Sequence, residues 1–242
     1  MVDVLAIFFL IMEQAILIVF YIITLVYSII FHEVSHGVVA LWLGDKTAKY
    51  SGRLSLEPLR HIDPIGSIIL PLFMILTTGF AFGWAKPVPY NPYNLRWPKW
   101  GAVVVAFAGP VTNFILAISA AVVASFINIS IAQKYTIVTH LMSAQWSSLV
   151  SVVVGSPLLI AYTICTMIVF WNVLLGTFNL MPIPPLDGSK LVFAIFDIPQ
   201  RAQMFLEQWG FFILIFILFT PLAVPFHLIL RTLWDIFFKL SF

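Results

Sequence analysis

The chain has 242 residues, of which 62% are hydrophobic and only 9% charged, with a formal net charge of +2. Soluble domains carry roughly 25% charged residues, so this chain lacks the polar surface to coat a particle of its size in water. The small net charge gives no footing for a nucleic-acid partner, and the single cysteine, Cys165, excludes a disulfide framework within one chain.

Five apolar segments follow one another, at residues 4–43, 65–82, 101–129, 149–180 and 209–242. A bilayer core takes about 20 helical residues, so lipid is the expected solvent. The acidic Asp3 and the absence of a basic n-region argue against a cleaved signal peptide. The first segment is too long for one span, and Glu13-Gln14 is the natural break, leaving a long helix from about Ala15 to Leu43. The last segment is interrupted by Pro221 and Pro225 and reads as either one span with a surface helix or two spans.

The expected fold class is therefore an all-α polytopic membrane protein with five or six transmembrane helices. Residues 48–56, with weak period-two alternation, add a small membrane-associated β segment after the first long helix, whose edge could pair with an unwound substrate. The expected organisation is one domain over 1–242, with a core at about 15–190 and C-terminal membrane helices at about 205–242.

Basic residues set the expected topology. Lys46, Lys49, Arg53, Arg60, Lys86, Arg96 and Lys99 cluster between the first and third segments, whereas 130–148 carries Lys134 alone. The positive-inside rule places the first stretch, and later Lys190 and Arg201, in the cytoplasm.

Ionisable side chains within a membrane helix cost a few kcal/mol each on insertion scales, which makes them functional candidates. The first long helix contains His32-Glu33-Val34-Ser35-His36. His32 and His36 stand one turn apart on one face, so two imidazoles can meet one metal ion. Glu33 beside them is suited to take the proton of a metal-activated water. A catalytic zinc needs a third protein ligand and an open position. Of the remaining acids, Glu13 sits at the expected break and Asp235 lies beside a C-terminal arginine. Asp187 follows Pro182, Pro184 and Pro185, which forbid ordinary helix. Such backbone is tolerated at membrane depth only against protein or a hydrated cavity, where a carboxylate is a natural metal ligand.

HEVSH on a membrane helix, followed by Asn179-Leu180-Met181-Pro182-Ile183-Pro184-Pro185-Leu186-Asp187-Gly188, resembles the site-2 proteases, intramembrane zinc metalloproteases of the peptidase M50 type. The resemblance extends through 52–71, through 83–92 and through Gly109-Pro110-Val111-Thr112-Asn113, and so covers 31–188. It implies one Zn2+ held by His32, His36 and Asp187, Glu33 as general base, and Asn113 and Asn179 as substrate-positioning residues. It implies a single-span membrane protein as substrate, while the apolar segments and the basic residues lead to an expected multi-pass cell-membrane location with the active site opening toward the cytoplasm. The chain corresponds to a compact form without PDZ or CBS domains. Oligomeric state is not legible.

A metal-ion or small-solute transporter also uses broken helices and intramembrane His and Asp. No inverted repeat supports that reading, and a carboxylate beside paired histidines serves catalysis better than transport. An inactive homologue that binds membrane proteins is the other alternative. His61 reads as a turn residue, His140 as solvated, and His227, Arg231 and Asp235 as a structural or interfacial stripe.

Overall fold

A computed structural model describes residues 4–79 and 83–242. Residues 1–3, with the Asp3 reading, and the end of the second apolar segment at 80–82 lie outside the described residues.

The helices are α1 (Val4–Trp42), α2 (Thr47–Tyr50), α3 (Leu70–Thr78), α4 (Pro98–Ser125), α5 (Ile131–Met142), α6 (Trp146–Val153), α7 (Pro157–Asn179), α8 (Gly188–Ile195), α9 (Gln200–Leu218) and α10 (Val224–Leu240). Among the described residues five helical stretches are long and apolar enough to cross a membrane: Ile11–Trp42, Pro98–Ser125, Pro157–Asn179, Gln200–Leu218 and Pro221–Leu240. The protein is thus all-α and multi-pass.

Three expectations need correction. No strand exists among the described residues, so the β segment is absent. Within 48–56 the chain makes the single turn of α2, then reverses at Gly52, where φ is +65°. The Ser51 and Arg53 N–H groups bond back to the carbonyls of Thr47 and Ala48. These local bonds satisfy the backbone that a strand would have left for a partner. The break at Glu13-Gln14 is also absent: α1 runs through it, because Glu and Gln are good helix formers and neither removes a backbone donor. Finally, the second apolar segment supplies no helix of spanning length among the described residues. Pro64–Thr77 is a short apolar helix of about 21 Å at 1.5 Å per residue, opened by a π-helical turn at Pro64–Ile69. The last segment supplies two of the five candidate spans instead, divided at Pro221.

The chain resolves into two compact units. One comprises Met1–Ser28, Asn113–Leu175 and Leu222–Phe242. Its apolar cores gather Leu17, Ile137, Leu149, Tyr162 and Met167 in one cluster, and Ala117, Ala121, Val169, Val173 and Phe237 in another. Buried polar groups are satisfied internally. Asn113 Nδ2 donates to Asn172 Oδ1 at 2.8 Å, and Asn172 Nδ2 donates to Ser28 Oγ at 2.8 Å. An unmade bond at this depth would cost several kcal/mol, so the network fixes how these helix faces meet.

The other unit comprises Ile29–Thr112 and Gly176–Pro221. Residues 83–96, extended as far as Asn91 and then making a 3-10 turn at Pro92–Asn94, run as a strap along the 43–66 connection. Trp84 N–H donates to the Gly66 carbonyl, Lys86 N–H to that of His61, and Arg96 N–H to that of Leu43. A Cβ on Gly83 would lie 2.4 Å from the Gly66 carbonyl oxygen, so only glycine permits that approach. The fully buried Asp45 ties the two ends: its carboxylate accepts from the Thr47 hydroxyl at 2.6 Å, Asn91 N–H at 2.8 Å and Asn94 Nδ2 at 2.9 Å. Burial works to raise the Asp45 pKa, but the bonds from Thr47, Asn94 and Asn91 outweigh it and hold the carboxyl below its ordinary value.

Candidate metal centre

His32 and His36 lie buried on α1, one turn apart, with ring planes at 89°. Their Nε2 atoms are 3.1 Å apart. Asp187 Oδ2 lies 3.1 Å from His32 Nε2 and 3.4 Å from His36 Nε2. Among the described residues this is the one group of three His, Cys, Asp or Glu side chains able to share a metal ion.

The donor set fits zinc. Bonds of about 2.0–2.1 Å at tetrahedral angles put ligand atoms roughly 3.3 Å from one another, the spacing found here. Asp187 Oδ2 is buried with no hydrogen-bond donor, a costly state that a cation removes. His36 Nδ1 is 2.7 Å from the Val105 carbonyl, which can only accept. The proton therefore sits on Nδ1 and the Nε2 lone pair faces the cluster.

Local sequence explains each placement. Space for the imidazoles comes from Gly109 on α4, where a Cβ would lie 2.5–2.6 Å from ring atoms of His32 and His36. Pro110 sits within α4, which continues through it. Its missing N–H and its ring disturb the ladder one turn back, beside the Val105 carbonyl that holds His36. The unwound stretch before Asp187 is fastened by two glycines. A Cβ on Gly188 would come 2.3 Å from the Leu180 carbonyl oxygen, and one on Gly210 would come 2.3 Å from that of Pro184.

Glu33 Oε2 accepts a hydrogen bond from Val88 N–H at 2.9 Å. Val88 lies between Pro87 and Pro89, so it offers the one amide donor in that tripeptide, and the flanking prolines hold it extended. Gly37, one turn beyond Glu33, leaves room for Val88 and Leu54: a Cβ there would meet them at 2.8 and 2.6 Å.

Asn179 ends α7, partly buried, in the unit that holds the cluster. Asn113 belongs to the other unit, in the network with Asn172 and Ser28. His61 is buried, its Nε2 donating to the Ser55 carbonyl at 2.7 Å. His140 is partly buried, and His227, Arg231 and Asp235 are exposed. The supports that sequence reading passed over are backbone groups and a missing side chain: the Val105 carbonyl, Val88 N–H and Gly109. The Pro-Val-Pro pattern was the available signal for the second.

Near the cluster, Tyr90 is half-buried. Burial, with the negative charges of Glu207 and Asp187, pushes its phenol up to about 12, so it stays a neutral hydroxyl.

A multi-pass membrane protein with paired histidines, an adjacent glutamate and a carboxylate gathered at one metal-sized point is a membrane-embedded metallohydrolase. The profile of peptidase family M50 matches residues 20–217. The chain belongs to that family and, with its His–His–Asp cluster assembled, is a zinc metalloendopeptidase of the membrane, not a solute transporter or an inactive homologue. It is 35% identical over 208 residues to YwhC of Bacillus subtilis (strain 168), a candidate zinc metalloprotease, covering 84% of this chain and 81% of that one. It is 28% identical over 196 residues to Rip2 of Mycolicibacterium smegmatis (strain ATCC 700084 / mc(2)155), likewise a candidate zinc metalloprotease, covering 80% of this chain and 64% of that one. No solved structure matches the chain.

Proposed function

We propose that the protein hydrolyses peptide bonds within or beside the transmembrane segment of single-span membrane proteins, reached from the cytoplasmic side. The observation that carries this reading is the position of the cluster on a membrane-length helix. Counted from Trp42 at 1.5 Å per residue, His36 and His32 lie about 9 and 15 Å inside α1. A peptide bond cut there belongs to a membrane-resident chain.

In this reading His32, His36 and Asp187 hold the ion and Glu33 is the general base. Bound zinc supplies Lewis acidity toward a carbonyl oxygen and lowers the pKa of water to about 7. Val88 N–H occupies Glu33 Oε2, so Oε1 is the oxygen we assign to take the proton from the attacking water. Glu33 then returns that proton to the leaving amine. Asn113 and Asn179 are proposed to position the substrate backbone, and 1–242 to act as one catalytic domain.

The cytoplasmic orientation rests on charge. With Pro64–Thr77 too short to span, the connections 43–97 and 180–199 fall on one side and 126–156 on the other. The first holds six lysines and arginines and the last holds Lys134 alone.

Reconstitution with single-span substrates tests the reading. Mass spectrometry is expected to map the cut inside the membrane segment or within a few residues of its cytoplasmic end. Thiol labelling of Tyr50→Cys and Thr136→Cys is expected from opposite faces. Cleavage confined to soluble proteins, or labelling from one face, would contradict it.

A further inference from the structure

A cavity of about 280 Å³ opens in the unit that holds the metal centre, lined by Tyr90, Tyr93, Lys99, Lys190, Asp197 and Gln200 among others. Three of its walls lead back to the catalytic groups. Lys190 stands one turn along α8 from Asp187, its N–H bonded to the Asp187 carbonyl. Tyr90 is two residues from Val88, which holds Glu33. Ala102, also on the wall, is one turn before Val105, which holds His36. The cavity is too small for most cofactors and suits one or two peptide side chains.

Two ammonium groups and one carboxylate, that of Asp197, line it. Lys190 pairs with Glu207, which is not on the wall, and Lys99 pairs with Asp197. The Lys99–Asp197 pair is exposed, with 44% and 78% of the two side chains accessible. Such a pair adds little stability and exchanges readily for another carboxylate. Tyr93 Oη and Gln200, hydrogen-bonded to each other, complete a polar rim.

We propose that this cavity is a specificity subsite that accepts an acidic side chain from the polar flank of the substrate, with Lys99 released from Asp197 to pair with it. The proposal rests on the peptidase reading and names a substrate feature for it. Cytoplasmic flanks of membrane segments are normally rich in Lys and Arg. A cavity that presents two ammonium groups, one of them held only by an exposed and exchangeable carboxylate, therefore discriminates against most membrane proteins and admits the minority with an acid at the right distance.

The test is equilibrium binding, so that it does not depend on catalysis. The full chain carrying Glu33→Gln, zinc-loaded in phosphatidylcholine nanodiscs, is titrated with labelled membrane-helix peptides bearing Glu, Gln or Lys at the cytoplasmic flank. The Glu peptide is expected to bind about tenfold more tightly than the Gln peptide. The Lys99→Gln/Lys190→Gln double variant is expected to erase that difference. Asp197→Asn, which removes the internal competitor, is expected to tighten Glu-peptide binding severalfold, whereas loss of a merely structural pair would not. Equal binding of all three peptides, no binding of any, or a preference that survives in the double variant would overturn the proposal. So would lysine-dependent retention of phosphatidylglycerol without peptide preference, which would assign the cavity to a lipid phosphate. Absence of peptidase activity in the parent chain would instead count against the peptidase reading and leave these binding differences measurable.

Discussion

Glu33 and His36 are oriented by main-chain groups, and the consequences can be read one residue at a time. Val88 N–H fixes the Glu33 carboxylate. A hydrogen bond to a charged group contributes about 1.5–3 kcal/mol. Val88→Pro removes the donor and Val88→Ala keeps it. The proline variant is expected to lose roughly 10- to 100-fold in kcat with zinc retained, and the alanine variant to stay near wild type. Steady-state kinetics with metal analysis checks this, and equal losses in both variants would assign Val88 a packing role only. Gly109→Ala drives a methyl group to within 2.6 Å of both imidazoles. Zinc affinity is expected to fall about 10- to 100-fold, as when a supporting group beside a metal ligand is lost. A competitive chelator titration measures it, and unchanged affinity would show that the rings do not need that space. The ligating side chains were legible in the sequence, because polar residues at four-residue spacing stand out in an apolar helix. Gly109 and the two main-chain groups were not, since a carbonyl or a missing Cβ leaves no chemical mark until the neighbouring helix is placed.

Among the elements, residues 48–56 and the short apolar helix at 64–77 depart most from sequence expectation. Alternation over 48–56 suggested a strand, but Gly52 and the bonds back to Thr47 and Ala48 closed a helical turn. The apolar run at 65–82 suggested a span, but the helix described there, Pro64–Thr77 with its π-helical opening, is shorter than the candidate spans. In each case turn chemistry, not the apolar pattern, decided the structure. The strap depends on Asp45. Its folded pKa lies below the ordinary carboxylate value near 3.9, so its contribution is complete above that value and is lost as pH falls through the lower folded one. Hydrogen exchange at the Thr47 and Asn91 amides is expected to accelerate in acid over that window. Asp45→Asn is expected to give faster exchange at neutral pH and to flatten the acid dependence. An acid limb that persists unchanged in Asp45→Asn would place the titrating group elsewhere.

For the molecule as a whole, the membrane class and a number of spans of five or six were open to sequence reading, because hydrocarbon thickness constrains helix length so tightly; the described residues hold five candidates. Which segments supply the five was not, since it turned on prolines at the edges of apolar runs. The metal centre joins residues 32–36 to residue 187 across most of the chain, a separation that only the fold closes. The most direct test compares zinc content and cleavage of a membrane-helix substrate for the wild type, Glu33→Gln and Asp187→Asn, all purified and reconstituted alike. The account expects one zinc per chain and cleavage in the wild type. It expects zinc retained with activity reduced at least ~100-fold in Glu33→Gln, and zinc lost in Asp187→Asn. Cleavage by Glu33→Gln at the wild-type rate, or full zinc and activity in Asp187→Asn, would contradict it.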